Sequence, residues 1–134
     1  MILIRDIMSE HLTPLHPEMS LAQAVDHLMQ AHIIGLPVVD DNKKLVGFLS
    51  EHDCIPFLLD DSYHCDSHVL VQDMMHREPL TVRPTNTILE LAQMMATNKP
   101  KIYPVIEENK LVGVINRSDV MASLNQQLKH CRVA

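Results

Sequence analysis

Residues 110–119 read Lys-Leu-Val-Gly-Val-Ile-Asn-Arg-Ser-Asp, and residues 44–53 read Lys-Leu-Val-Gly-Phe-Leu-Ser-Glu-His-Asp. Each stretch runs an apolar segment with one glycine into a polar tetrad that ends in aspartate. A short apolar run bounded by turn residues reads as a buried strand. Ser or Asn followed three residues later by an acid reads as the start of a helix. The chain therefore carries two copies of one strand-to-helix corner, and the rest of the sequence is arranged around them.

Working outward, the copies extend over most of the chain. Asp6-Ile7-Met8 recurs as Asp73-Met74-Met75, His16-Pro17 as Arg83-Pro84, and Pro37-Val38 as Pro104-Val105, each at an offset of 67. Gly47 and Gly113 stand 66 apart, as do Asp53 and Asp119, because Asp40-Asp41-Asn42-Lys43 shortens to Glu107-Glu108-Asn109. Loss of one turn residue between intact strands is a change a duplicated fold absorbs.

Each copy is predicted to begin with a helical turn, Ile4–Met8 or Val71–Met75, followed by an extended piece, Leu12–Leu15 or Leu80–Arg83. An amphipathic helix comes next. Leu21, Ala24, Val25, Leu28 and Met29 form one apolar stripe, and Ile88, Leu91, Ala92 and Met95 repeat most of it. The capping boxes Ser20-x-x-Gln23 and Thr87-x-x-Glu90 open these helices. Hairpins are expected at Leu36–Asp40 with Lys44–Ser50, and at Ile102–Glu107 with Lys110–Asn116. Closing helices are expected at Glu51–Leu59 and from Arg117 to about Lys129. The expectation is an α+β fold with two small sheets: repeats at 1–61 and 70–134, a polar linker at 62–69, and a pseudo-twofold axis relating the copies. A lone copy of about 60 residues is marginally stable, which favours packing of the two.

The 134 residues are 46% hydrophobic and 21% charged, with a formal net charge of −6. That balance speaks against nonspecific binding to a nucleic acid duplex or an anionic membrane, both of which need clustered Lys and Arg. Aromatic residues are only 3%, so the nine Met and the aliphatic residues must fill the core. No apolar run approaches membrane-spanning length, and no signal peptide is legible, so a cytoplasmic location is expected. Cys54, Cys65 and Cys131 are odd in number and lack Cys-x-x-Cys spacing, which fits reduced thiols. Cys54 reads as a core residue. Cys65-x-x-His68 with His64 and His76 falls short of the two spaced ligand pairs of a structural zinc site, so no metal is expected.

The two corners, with Leu36-Pro37-Val38-Val39-Asp40 and Tyr103-Pro104-Val105-Ile106 ahead of them, resemble a tandem pair of CBS domains, a Bateman module. The family signature joins a Pro-Val strand to Gly-h-h-Thr/Ser-x-x-Asp, where h is apolar. The resemblance implies two β-α-β-β-α repeats, clefts between them that bind adenosine-containing ligands, and a homodimer. It also implies that the corner aspartate bonds both ribose hydroxyls, that the neighbouring hydroxyl residue reaches ribose or phosphate, and that the backbone of the extended piece and apolar residues near the Pro-Val strand hold adenine. The chemistry suits the residues, because a carboxylate accepts two hydroxyl donors at once and a helix N-terminus favours an anion.

Ser50-x-x-Asp53 and Asn116-x-x-Asp119 also read as reciprocal helix caps without any ligand, and both readings stand at this point. Asn116 departs from the family's hydroxyl residue, though its amide is a donor. Arg117 either pairs with a phosphate or lies solvated, whereas Glu51 at the matching place repels phosphate. The expected phosphorylated-ligand site is therefore Thr81, Val82, Ile102, Tyr103, Pro104, Asn116, Arg117 and Asp119. Tyr103 is expected either to stack on adenine or to cover the sheet edge. The other cleft, with Thr13, Ile34, Pro37, Ser50 and Asp53, takes an uncharged adenosine moiety or stays empty. The expected function is a non-catalytic regulatory module that binds AMP, ADP or ATP, with S-adenosylmethionine also considered. The alternative is a ligand-free dimerisation or interaction module. No nucleophile–base pair, phosphate-cradling glycine loop or paired carboxylates argue for an enzyme, and the regulated partner is not legible.

Overall fold

A computed structural model describes residues 1–60, 68–97 and 99–133. In chain order the elements are α1 (Ile4–Ile7), α2 (Leu21–Ala31), β1 (Gly35–Val39), β2 (Leu45–Ser50) and α3 (Glu51–Leu59), then α4 (Val71–Met74), α5 (Ile88–Met95), β3 (Ile102–Glu107), β4 (Lys110–Asn116) and α6 (Arg117–Val133). They form two compact units. A terminal unit joins Met1–Leu12 to Leu80–Ala134, and a central unit comprises Thr13–Pro79. Among the described residues no helix is long and apolar enough to cross a membrane.

In the terminal unit β3 and β4 pair antiparallel, from Ile102 opposite Asn116 to Glu107 opposite Lys110. Glu108 and Asn109 both have positive φ, 52° and 67°, the conformation of a two-residue hairpin whose twist matches its strands. Each edge of the hairpin gains a partner: Val82 bridges parallel to Val105, and Ser9 bridges antiparallel to Val114. Ser9 N donates to Val114 O at 2.8 Å, and Val114 N donates back to Ser9 O at 2.9 Å. The core under this sheet is Ile4, Val82, Ile88, Leu91, Tyr103, Val105, Ile115 and Val120. Burial of these side chains is the main force holding the unit together.

The central unit repeats the plan. β1 pairs with β2, Leu15 bridges Val38 and His76 bridges Phe48. All five residues of β1 are buried, and Asp40 Oδ1 ties its hairpin turn by accepting from Asn42 N and Lys44 N. The stretch after α1 thus completes the second copy's sheet, and the stretch after α4 completes the first copy's. The motif glycines make this possible. A Cβ on Gly113 would lie 2.7 Å from Ser9 O, and one on Gly47 would lie 2.5 Å from Met75 Sδ and 3.0 Å from His76 O. Neither glycine has positive φ, so close approach of a neighbouring strand is the requirement, not a turn.

The duplicated Asp-h-Met also has a local cause. Asp6 Oδ2 accepts from Leu3 N at 2.9 Å, and Asp73 Oδ2 accepts from Leu70 N at 2.8 Å, closing the short helices α1 and α4. The capping boxes of α2 and α5 form as the sequence predicts. The extended pieces expected at 12–15 and 80–83 shrink to the single bridges at Leu15 and Val82. Leu15 N donates to Pro37 O and Val39 N donates to Leu15 O, so the next rung would need a donor at Pro37, which has none. Pro104 stops the pairing of Val82 in the same way. Helix α6 runs beyond the expected Lys129, with Ala122 where α3 carries Pro56 in its interior.

Candidate functional site

Each corner forms where a strand ends and a helix begins. In the terminal unit Asp119 N donates to Asn116 Oδ1 at 2.8 Å, and Asn116 N donates to Asp119 Oδ2 at 3.2 Å. In the central unit Asp53 N donates to Ser50 Oγ at 3.3 Å, while Asp53 Oδ2 accepts from Ser50 N at 2.9 Å and from Ser50 Oγ at 3.0 Å. Both aspartates therefore cap their helices. The cap occupies Oδ2 alone, and among the described residues Oδ1 of each aspartate accepts no hydrogen bond. Capping and ligand binding are thus compatible at the same side chain. Asp119 also lines a cavity of about 480 Å³ together with Ile2, Ile7, Ser123, Gln126 and His130.

The charge around the corners differs. Arg117 N donates to Lys101 O at 2.8 Å, and in the central unit Glu51 N donates to Ile34 O, also at 2.8 Å. The same backbone bond thus brings exposed Lys101 and Arg117 together at one corner and an apolar and an acidic residue at the other, while the Arg117 side chain lines the apolar groove with Val120, Met121 and Leu124, apart from the cavity of Asp119. Lys101 is absent from the expected site. It matches Ile34 at the 67-residue offset, so the alignment that selected Ile34 also pointed to it.

The hairpin register brings Ile102 opposite Asn116, beside Arg117 and Asp119. Pro104 is buried, and its carbonyl accepts from Val82 N at 3.1 Å. Because proline cannot donate the following rung, the carbonyls of Leu80 and, in the central unit, Thr13 lack that partner. Thr81 sits half-buried between Leu80 and Val82. The side chain of Tyr103 departs from expectation, while that of Val82, expected to act through its backbone, is also in the core. Val82 is 5% exposed and Tyr103 is fully buried, both within the core, so Tyr103 neither stacks outward nor covers a sheet edge. Burial pushes the Tyr103 hydroxyl above its ordinary pKa.

In the central unit Pro37 is buried in β1, Ser50 and Asp53 are half-buried, and Thr13 is exposed. Ile34 lies on a separate apolar groove of about 630 Å³ between α2 and α3, with Met29, Glu51, Cys54, Ile55 and Leu58. Burial, and then the neighbouring Asp53 and Glu51, raise the Cys54 thiol to about 11, so it is an inert core group. His64 and Cys65, weighed as metal ligands, lie outside the described residues.

A family model described as the CBS domain matches residues 4–60 and again 71–126. Among curated proteins the chain is 27% identical over 121 residues to MJ1225 of Methanocaldococcus jannaschii, covering 90% of this chain and 42% of that protein. It is 24% identical over 143 residues to the chloroplastic CBS domain-containing protein CBSX2 of Arabidopsis thaliana, covering 87% of this chain and 60% of that one. The chain thus spans less than two thirds of the length of the curated relatives it matches. Among solved structures, CBSX2 in complex with AMP superposes with a TM-score of 0.82 at 28% identity, covering 94% of this chain and 98% of that chain. A Vibrio cholerae protein, AcuB, superposes with a TM-score of 0.85 at 28% identity, covering 100% and 98%.

Proposed function

The chain belongs to the CBS-domain family and carries two copies of the domain; from that premise we propose that it is a regulatory, non-catalytic module whose terminal unit binds AMP, ADP or ATP. The observation that carries this reading is Asp119, which caps α6 with one carboxylate oxygen, keeps the other unbonded and faces a cavity. A carboxylate so placed takes the two hydroxyls of a ribose. Asn116 offers an amide donor. Arg117 and Lys101 offer positive charge to phosphate, next to a helix N-terminus. The unpaired Leu80 carbonyl, the backbone of Thr81 and Val82, and the surfaces of Ile102 and Pro104 are assigned to adenine. Support comes from CBSX2, a relative whose structure was solved with AMP.

The central corner, with Thr13, Ile34, Pro37, Ser50 and Asp53, is assigned an uncharged adenosine moiety at most. Glu51 repels phosphate there, and Asp53 accepts two bonds from Ser50. Regulation follows only if the nucleotide binds two conformations with different affinity. The proposal includes a cytoplasmic homodimer. Met29, Ile55 and Leu58 along α2 and α3, and Met121, Leu124 and Leu128 along α6, are large exposed apolar side chains beside apolar grooves. These faces also support a second reading, a dimerisation module that binds no nucleotide.

A thermal-shift panel with AMP, ADP, ATP, adenosine and S-adenosylmethionine tests the choice, because a ligand that binds only the native state raises the midpoint. An adenine nucleotide is expected to raise it in proportion to the logarithm of its concentration. A flat response to all five would leave only the second reading.

A further inference from the structure

Each unit carries an apolar groove, and the two are one groove built twice. The central groove, of about 630 Å³, lies between α2 and α3, and the terminal groove, of about 450 Å³, lies between α5 and α6. Across the repeat Val25 matches Ala92, Cys54 matches Val120, Ile55 matches Met121 and Leu58 matches Leu124. The outer positions stay apolar although they face outward: Ile55 and Met121 are 49% and 67% exposed, and Leu58 and Leu124 are 50% and 37% exposed. Of the eleven large apolar side chains exposed among the described residues, four line the central groove and three the terminal one. Such a concentration marks a surface that a partner covers.

One lining position reverses charge. Glu51 lines the central groove, which has no Lys or Arg among its described lining residues. Arg117 takes the matching place in the terminal groove, which has no Asp or Glu among its own. Both residues are exposed, and the matched bonds from Glu51 N to Ile34 O and from Arg117 N to Lys101 O fix them at equivalent points. Covering a groove takes its charge out of water, and a charge so covered needs an opposite one. A central groove set on a second copy's central groove would enclose two Glu51 carboxylates, and terminal on terminal two Arg117 guanidiniums, in each case without a counter-charge. Central on terminal gives every one of them a partner. A twofold axis makes that contact twice, Glu51 with Arg117 of the second copy and Arg117 with its Glu51.

We propose that the protein self-associates unlike unit on unlike unit: the central groove of one copy seats against the terminal groove of a second copy, and Glu51 and Arg117 pair across the contact to select that arrangement. The inference rests on the homodimer reading above and adds which faces meet and what chooses them.

Sedimentation equilibrium without nucleotide, at pH 8 where imidazole is largely uncharged, compares the wild type with Glu51→Arg, Arg117→Glu and the double variant that carries both. Leaving out nucleotide keeps phosphate contacts out of the readout. Each single variant sets like charges against each other at both contacts and is expected to weaken the dimer about tenfold or more. The double variant restores opposite charges in exchanged places and is expected to lie within about threefold of the wild type. Glu51→Gln, which only removes a charge, carries the test if a reversal does not fold: it weakens an unlike contact by about threefold and tightens a like one. Single variants as tight as the wild type overturn the inference, and so does a double variant no tighter than the singles. A wild type that stays monomeric at micromolar concentration overturns the homodimer reading itself.

Discussion

Asp53→Ala and Asp119→Ala should cost the ligand-free protein unequal amounts of stability, although the two aspartates hold matching places in the repeat. Asp53 Oδ2 accepts two bonds, at 2.9 and 3.0 Å, in a half-buried setting. Asp119, also half-buried, accepts one at Oδ2, at 3.2 Å, from the exposed Asn116. A net hydrogen bond contributes about 1 kcal/mol, and somewhat more with a charged partner, while the helix-dipole contribution is common to both. Loss of Asp53 should therefore cost about 2 kcal/mol, and loss of Asp119 about 0.5 kcal/mol. For a chain of this length that corresponds to roughly 6 °C against roughly 2 °C in midpoint. Urea unfolding without nucleotide, with unchanged m-values, measures the difference directly. Equal losses, or a larger loss at Asp119, would refute the claim that Asp53 is committed to its cap while Asp119 is kept for another partner.

Gly113→Ala should cost about 2 kcal/mol or more, because its Cβ would meet the backbone oxygen of Ser9 at 2.7 Å, and faster hydrogen exchange at Ser9 and Val114 would report the displaced strand. Cys54, with a folded-state pKa near 11 against about 8.5 unfolded, keeps its proton longer in the native state, so stability should fall between about pH 9 and pH 11. Cys54→Ala should flatten part of that alkaline limb. In the native protein at pH 8 an alkylating reagent should label exposed Cys131 and spare Cys54, as read by peptide mapping. Lys101→Ile with Arg117→Glu gives the terminal corner the central corner's charge. It should weaken ATP by about a hundredfold and adenosine by less than threefold, measured by competition binding.

Most of the fold was legible because it is written twice. The offset of 67, falling to 66 across the shortened turn, fixed the hairpins to within a residue or two, and the capping boxes marked the starts of α2 and α5. What the sequence hid is which copy the edge strands complete. Ser9 and His76 carry no pattern that names their partner, and the glycine each one needs reads equally well as a generic strand glycine. At Asp53 and Asp119 the helix cap forms through Oδ2 and leaves Oδ1 without a hydrogen bond among the described residues, a distinction spacing cannot carry. Tyr103 looked like a ligand residue because an aromatic next to Pro-Val is conspicuous. Its burial follows from the alternation of β3, which turns it to the same core as Val105. Lys101 was missed because it lies just outside the motif, and only its backbone bond to Arg117 ties it to the corner.

The most direct test of nucleotide binding at the terminal corner is calorimetric titration of AMP into the wild type, Asp53→Ala and Asp119→Ala, side by side. The account predicts a saturable site in the wild type, affinity within about threefold of it in Asp53→Ala, and a loss of about a hundredfold or more in Asp119→Ala, the scale of two charge-assisted hydroxyl bonds. Equal affinities in all three proteins, or a loss confined to Asp53→Ala, would contradict it.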